Sequence, residues 1–155
     1  MSDAITTAVF DTGIVLQAAL SDRGPASVAL QLMEESRIVV FISPQVREEY
    51  DAVLNRVAIR IKNPLLTYER VQEILARIDA KTRVVTVIKS YIQFSRDPND
   101  EPILNLAIQV KADYLVARDQ DLLDLGQSAD FRLLFPFVKI VDPSVFVKQL
   151  TQGIY

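Results

Sequence analysis

Short runs of β-branched and apolar residues alternate along this chain with longer segments in which apolar residues recur at helical spacing. The strand-like runs cover residues 5–10, 38–42, 84–88, 113–117 and 137–141. Alternation with short connections is typical of a parallel sheet covered by helices on both faces, with right-handed crossovers. The sequence therefore predicts an α/β protein with three α/β/α layers around a mainly parallel central sheet.

Residues with helix-starting roles divide the segments between these runs. Ser43-Pro44 predicts an N-cap followed by proline at the first helical position, and Thr67 precedes an amphipathic helical pattern. A further helix follows Gly24-Pro25, and a last one is expected over residues 143–150. Residues 56–62 are more basic and are interpreted as a connection.

The chain has the length of one domain, with 155 residues of which 50% are hydrophobic. No repeat, low-complexity tract or linker divides it, so we predict a single domain over residues 1–150 followed by a short tail, 151–155. No apolar run approaches the roughly 20 residues that span a bilayer, and the start lacks the basic and apolar regions of a signal peptide. The expected location is the cytoplasm, with no membrane contact.

Histidine and cysteine are both absent from the sequence. Their absence excludes imidazole general bases, thiol nucleophiles, Ser-His-Asp triads and the usual zinc ligands. The chain carries 17 basic and 20 acidic residues and lacks the overall cationic field that draws proteins to nucleic acids, since its net charge is −3. The chemistry that remains is carboxylate chemistry, and any polyanionic substrate must be held locally.

Four acidic residues fall near the carboxyl ends of predicted strands, where parallel sheets bind their ligands. They are Asp11, Glu49, Asp100 and Asp119. Carboxylates brought together raise one another's pKa, and a divalent cation that prefers oxygen ligands, Mg²⁺ or Mn²⁺, relieves the repulsion. One or two such ions activate water and stabilise a leaving oxygen, so the four acids predict metal-dependent hydrolysis of phosphodiester bonds.

Individual acids also have local structural interpretations. Asp11 fits a turn former, and Asp100 fits the N-cap of the helix that follows it. Asp97, Glu101 and Asp121 are interpreted as surface acids or helix-start charges rather than as metal ligands. The arrangement of the four acids, and not any one of them, carries the prediction of a metal site.

Four motifs follow one another along most of the chain. They are Ala8-Val9-Phe10-Asp11-Thr12, then Ser43-Pro44 with Glu49-Tyr50, then Asp97-Pro98-Asn99-Asp100-Glu101, and last Ala112-Asp113-Tyr114-Leu115-Val116 with Asp119. In order and spacing they resemble the PIN-domain family, especially its bacterial branch of toxin–antitoxin toxin components related to VapC-type ribonucleases.

The resemblance implies a PIN-like fold with a catalytic acidic quartet. Matched residue by residue, Asp11, Glu49, Asp100 and Asp119 would bind Mg²⁺ or Mn²⁺ and support endonucleolytic cleavage of RNA. The resemblance further implies inhibition by a cognate antitoxin protein and assembly as a homodimer.

The sequence departs from the family's usual pattern at Gly13, where Asn is usual, and at Ala117-Arg118, where Thr followed by Gly, Asn or Asp is usual. Ala117 removes a hydroxyl, whereas Arg118 adds a cation that is expected to pair with Asp119 or Asp11 or to contact phosphate. Thr12 and Arg118 are the predicted substrate-binding residues. The departures leave open a catalytically degenerate domain of the same fold that binds RNA or protein without cutting.

A phosphotransfer domain or a phosphatase is the remaining alternative, since both place acids at strand ends. Asp11-Thr12-Gly13 lacks the second Asp that is expected two positions after a phosphatase nucleophile. No Gly-rich loop with Lys-Ser/Thr for nucleotide phosphates is present in the sequence. A metal-dependent ribonuclease therefore remains the favoured function.

Overall fold

The sheet of this protein is entirely parallel. A computed structural model describes residues 4–86 and 88–152. Within these ranges one sheet has the strand order β3-β2-β1-β4-β5 and is formed by β1 (Thr6–Phe10), β2 (Ile38–Ile42), β3 (Arg83–Val84), β4 (Tyr114–Val116) and β5 (Lys139–Val141). The order reverses between β1 and β4, and ligands of such sheets bind at the carboxyl ends of the strands beside that reversal.

Nine α-helices lie in the described part of the chain and complete a three-layer α/β/α fold. They are α1 (Thr12–Leu20), α2 (Pro25–Glu34), α3 (Pro44–Leu54), α4 (Val57–Lys62), α5 (Tyr68–Lys81), α6 (Glu101–Gln109), α7 (Gln120–Gln127), α8 (Ala129–Leu134) and α9 (Pro143–Gln152). Helix α6 packs on β1, β2 and β4, whereas α2 packs against α1 and α9. The predicted fold class is confirmed.

Two helices begin where their capping residues predict. Ser43 Oγ accepts a hydrogen bond from Val46 N at 3.2 Å, and Pro44 is the first residue of α3. Thr67 Oγ1 accepts from Arg70 N at 3.1 Å in the same way and starts α5. Both caps involve only residues within one helical turn, which is why the local sequence predicts them.

The strand predicted over residues 84–88 is mostly absent. Strand β3 contains only Arg83 and Val84, and the pairing with β2 is prolonged by a hydrogen bond of 2.8 Å from Val85 N to Ile42 O. Val87 lies outside the described residues. Both residues of β3 are exposed at the edge of the sheet, so its β-branched residues lack the burial that a longer strand would provide.

Short helices are the other difference from the sequence analysis. Residues 56–62 are not a simple connection, because Val57–Lys62 forms α4. Its last turn contains Arg60 and Lys62, whose positive charges favour a helix C-terminus. Helix α8 was not predicted, although Ser128 Oγ accepts a hydrogen bond from Phe131 N at its start.

The C-terminal helix extends beyond its predicted end. Helix α9 continues to Gln152 and so takes in the first two residues of the predicted tail. The remaining residues, 153–155, lie outside the described ranges. In the described part of the chain, no helix combines the length and the apolar character that crossing a membrane requires.

Candidate metal centre

Two of the predicted acids lie side by side at the carboxyl edge of the sheet. Asp11 directly follows β1 and Asp119 follows β4, and these strands are neighbours with Phe10 paired to Val116. A hydrogen bond of 2.9 Å from Asp11 N to Val116 O continues the pairing to the end of β1. The parallel pairing thus brings together two residues that are far apart in the sequence.

Helix α3 carries Glu49 toward the same edge. Its neighbour Tyr50 is only 2% exposed, and the Tyr50 hydroxyl donates a hydrogen bond to the carbonyl oxygen of Phe10. That carbonyl immediately precedes Asp11. The buried tyrosine therefore fixes α3 against the end of β1, and Glu49 comes into the electrostatic field of Asp11.

A short 3-10 turn, Pro98–Asp100, supplies two further acids. The Asp97 carboxylate accepts a hydrogen bond from Asn99 N at 3.1 Å, and Asp100 N donates to Asp97 O at 3.0 Å. Asp100 occupies the N-cap position of α6 as predicted, but its carboxylate makes no capping hydrogen bond. The Asp100 side chain is therefore not committed to the helix.

Three carboxylates form a compact group, which we call the acid cluster: Asp97, Asp100 and Asp119. One oxygen from each lies within 4.8 Å of the others. Asp100 is only 8% exposed, and its Oδ2 atom has no hydrogen-bond partner among the residues that the structure describes. Asp119 Oδ1 accepts a hydrogen bond of 2.8 Å from Asp121 N.

The pKa values of these acids are raised by burial and by their mutual repulsion. Burial raises the pKa of Asp100 well above its usual range, and the negative charges of Asp119 and Asp11 raise it further. Burial also raises the pKa of Asp11 to about 6, with smaller contributions from Asp119 and Glu49 that backbone hydrogen bonds partly oppose. The pKa of Glu49 is raised, again mainly by burial.

The residues present fit a divalent cation. Three carboxylate oxygens close to one another are the hard donors that Mg²⁺ and Mn²⁺ prefer. The unpartnered Asp100 Oδ2 atom is a buried carboxyl oxygen of the kind that structures normally satisfy with a donor or a cation. Asp11 and Glu49 lie in the same field but outside the set of oxygens within 4.8 Å.

Asp97 is the site residue that the sequence analysis missed. It was interpreted as a surface acid, yet it belongs to the acid cluster. The available signal was its spacing of three residues from Asp100, because side chains at positions i and i+3 of a 3-10 turn lie on the same side. Asp121, by contrast, forms an ion pair with Arg96 at 2.6 Å and is a surface acid as predicted.

Arg118 does not neutralise the acids. The expected ion pair with Asp119 or Asp11 is absent from the contacts of the described residues, and the exposed Arg118 side chain lines a neighbouring cavity instead. The physical reason is its direction, since Arg118 lies toward α1 and the start of α2. Thr12 is buried near Glu49, and its Oγ1 makes no hydrogen bond of good geometry with described residues.

The sequence is similar to a known protein family. A family model described as PIN domain matches residues 7–121, which is most of the chain. The matched region contains β1 apart from its first residue, β2 to β4, and the acids of the candidate metal centre. No curated protein matches the sequence.

Proposed function

This chain belongs to the PIN domain family, a nuclease fold whose members typically use divalent metal ions, and from that premise we propose that it is an Mg²⁺- or Mn²⁺-dependent endoribonuclease. The observation that carries the proposal is the acid cluster with its buried, unpartnered Asp100 Oδ2 atom. A site with neither His nor Cys has few other routes to hydrolysis.

In the proposed mechanism the acidic residues have different roles. Asp97, Asp100 and Asp119 would hold one divalent ion, directly or through water, and the nearby Asp11 would help to hold this ion or a second one. A bound ion supplies positive charge that activates a water molecule and stabilises the leaving oxygen of the phosphodiester. Glu49 accepts a hydrogen bond from the attacking water and so orients it.

Arg118 bears on the choice between an active and a degenerate domain. A guanidinium inside the acid cluster would compete with a metal ion for the carboxylates. The position of Arg118 outside the cluster supports the active enzyme, as do the raised pKa values of Asp11 and Asp100. We therefore favour the nuclease over a domain that only binds RNA or protein.

We also propose the toxin role, in the cytoplasm, with a cognate antitoxin as inhibitor and with dimerisation. A protein partner is supported by large apolar side chains exposed around α4 and the start of α5. Ile61 is 73% exposed, Leu65 82% and Tyr68 57%, and Ile61 and Tyr68 line one open groove. Exposed apolar surface of this kind marks protein contacts when it is contiguous. Sedimentation of the purified protein tests the dimer.

Cleavage of RNA tests the enzyme. A pool of structured and single-stranded RNA is incubated with wild type, Asp100→Asn and Asp130→Asn in Mg²⁺, in Mn²⁺ and in EDTA. Asp130 is a matched control because it is an exposed acid on α8, away from the acid cluster. We expect cutting by wild type and Asp130→Asn with either metal, and none in EDTA or by Asp100→Asn.

Contaminating nuclease would survive the Asp100→Asn substitution, because the variant is purified in the same way. Equal cutting by wild type and Asp100→Asn would therefore contradict the proposal. Absence of cutting by wild type under all conditions would favour the degenerate domain.

A further inference from the structure

A cavity of about 470 Å³ lies next to the metal centre, between α1 and the starts of α2 and α9. Its polar lining includes Gln17, Arg23, Arg118 and Asp142. Arg23 stands just before α2, and Arg118 stands just before Asp119. The two arginines come from distant parts of the sequence and line the same space.

The charges around this cavity are not balanced. Arg23 and Arg118 are exposed, and neither forms an ion pair with a carboxylate in the described part of the chain. Asp22, the neighbour of Arg23 in sequence, forms an ion pair of 2.6 Å with Arg70. Asp142 accepts a hydrogen bond from Val145 N at 2.8 Å and so caps α9. The cavity is therefore lined by two guanidinium groups without an ion pair and by one carboxylate, that of Asp142, which already accepts a hydrogen bond.

Gly13 lies close both to Arg118, which lines the cavity, and to the Asp11 carboxylate. A Cβ atom built on Gly13 would lie 3.6 Å from Arg118 Cβ and 3.8 Å from Asp11 Oδ2. No side chain stands at Gly13 to separate the cavity from the Asp11 carboxylate. The part of α1 that lines the cavity begins at Gln17, one helical turn after Gly13.

We propose that this cavity binds a backbone phosphate of the RNA strand, next to the phosphodiester held at the acid cluster. Guanidinium groups recognise phosphate through paired charge-assisted hydrogen bonds, and two of them can clamp a single phosphate. The Gln17 side chain adds a neutral donor, and the first turn of α2 has no side-chain cap, so its backbone N–H groups favour an anion.

The proposal rests on the proposed function, because it assumes that RNA is the substrate. It also explains how a chain with a net charge of −3 holds a polyanion, since the positive charge is placed locally. It assigns the phosphate contact that is expected of Arg118 to a phosphate next to the scissile one. The two arginines are then substrate-binding residues rather than catalytic residues.

Binding of a fluorescein-labelled single-stranded RNA 12-mer tests the subsite by fluorescence anisotropy over a range of salt concentrations. All proteins carry Asp100→Asn, which lowers the negative charge of the acid cluster and is expected to stop cleavage. One protein adds Arg23→Gln and Arg118→Gln. A matched control adds Arg37→Gln and Arg83→Gln, which remove the same charge from exposed arginines at the amino ends of β2 and β3.

We expect the Arg23→Gln/Arg118→Gln protein to bind the RNA about tenfold more weakly near physiological salt, with the magnitude of its log–log salt slope reduced by about 0.7 for one lost phosphate contact. The control should bind within about twofold of its parent, since its arginines lie outside the phosphate path. Equal losses in the two proteins would overturn the proposal, because they would reflect net charge alone.

A cleavage assay of the Arg23→Gln/Arg118→Gln protein, made without Asp100→Asn, separates this proposal from the proposed function. A raised KM with a smaller change in kcat supports the subsite. If the wild type does not cut RNA but Arg23→Gln/Arg118→Gln still weakens RNA binding selectively, the nuclease proposal fails and the phosphate subsite stands. If the wild type cuts and the double variant binds and cuts normally, the subsite fails alone.

Discussion

At the scale of single residues, the positions of the acids around the candidate metal centre lower the stability of the protein when no metal is bound. Asp100 is almost fully buried beside Asp119, and the pKa values of Asp11, Glu49 and Asp100 are all raised. A raised carboxyl pKa means that the folded state resists the ionised form that prevails at neutral pH. A site with this property is stabilised when a cation binds.

The first prediction concerns the pH dependence of stability in EDTA. The folded protein keeps the Asp11 proton up to a pKa of about 6, whereas the unfolded chain loses it near 3.8. In this interval the folded state binds more protons, so Asp11 lowers the free energy of unfolding as pH rises, and the loss persists above about pH 6. Between about pH 4 and about pH 7, Asp11 lowers the free energy of unfolding by about 2 kcal/mol.

Urea unfolding of wild type and Asp11→Asn between about pH 4 and about pH 7 measures the contribution of Asp11 to the free energy of unfolding. The wild type should lose about 2 kcal/mol more than Asp11→Asn over this range, because the amide does not titrate. Asp130→Asn serves as the control and should follow the wild type. Parallel pH profiles for wild type and Asp11→Asn would show that Asp11 titrates normally.

Sequence reasoning locates part of this site and misses part of it, for physical reasons. Asp11 and Asp119 follow apolar runs directly, so their position at strand ends can be predicted from the sequence. Asp97 could not be chosen from the surface acids around it, because its role depends on a 3-10 turn and on the position of β4. The direction of Arg118 depends on packing against α1 and α2, which no local pattern contains.

At the scale of elements, Arg70 ties α5 to the end of α1. Its guanidinium donates hydrogen bonds of 3.0 Å to the carbonyl oxygens of Ala18 and Ala19, in the last turn of α1, and forms an ion pair with Asp22. These contacts satisfy carbonyl groups that a helix C-terminus leaves without partners. Arg70 is therefore a structural residue rather than part of an RNA surface.

The second prediction is that Arg70→Met destabilises the protein by about 2 kcal/mol and lowers its Tm by several degrees, because two partly buried carbonyl oxygens lose their charged donor. Arg37→Met is the matched control, since Arg37 is exposed and makes no side-chain ion pair with the described residues. Differential scanning calorimetry measures both. Equal Tm values would contradict the capping role.

The ends of strands and helices can be predicted from the sequence where a local residue pattern marks them or where their residues are strongly buried. Strand β2 matches its prediction because it is a continuous apolar run in which Ile38, Val40 and Ile42 are buried in the core. Strand β3 and helices α4 and α8 differ from their predictions because they are short and mostly exposed. Their form depends on edge pairing and on caps rather than on a periodic apolar pattern.

At the scale of the whole molecule, the strand order explains how acids from distant segments meet. Strands β1 and β4 are neighbours at the point where the order reverses, so Asp11 and Asp119 share one crevice. Helices α3 and α6 bring Glu49 and Asp100 to the same crevice. Alternation of strands and helices predicted the parallel fold, but the sequence alone did not give the strand order.

The central claim is that the acid cluster is a divalent metal site. Isothermal titration calorimetry of Mn²⁺ into wild type, Asp100→Asn and Asp130→Asn tests it most directly, without relying on a substrate. We predict saturable binding by wild type and Asp130→Asn, and binding at least about tenfold weaker by Asp100→Asn. In the absence of metal, Asp100→Asn should melt at a higher temperature than wild type at neutral pH, because burial of the Asp100 carboxyl requires uptake of a proton and burial of the amide does not. No saturable Mn²⁺ binding by wild type, or equal binding by Asp100→Asn, would contradict the claim.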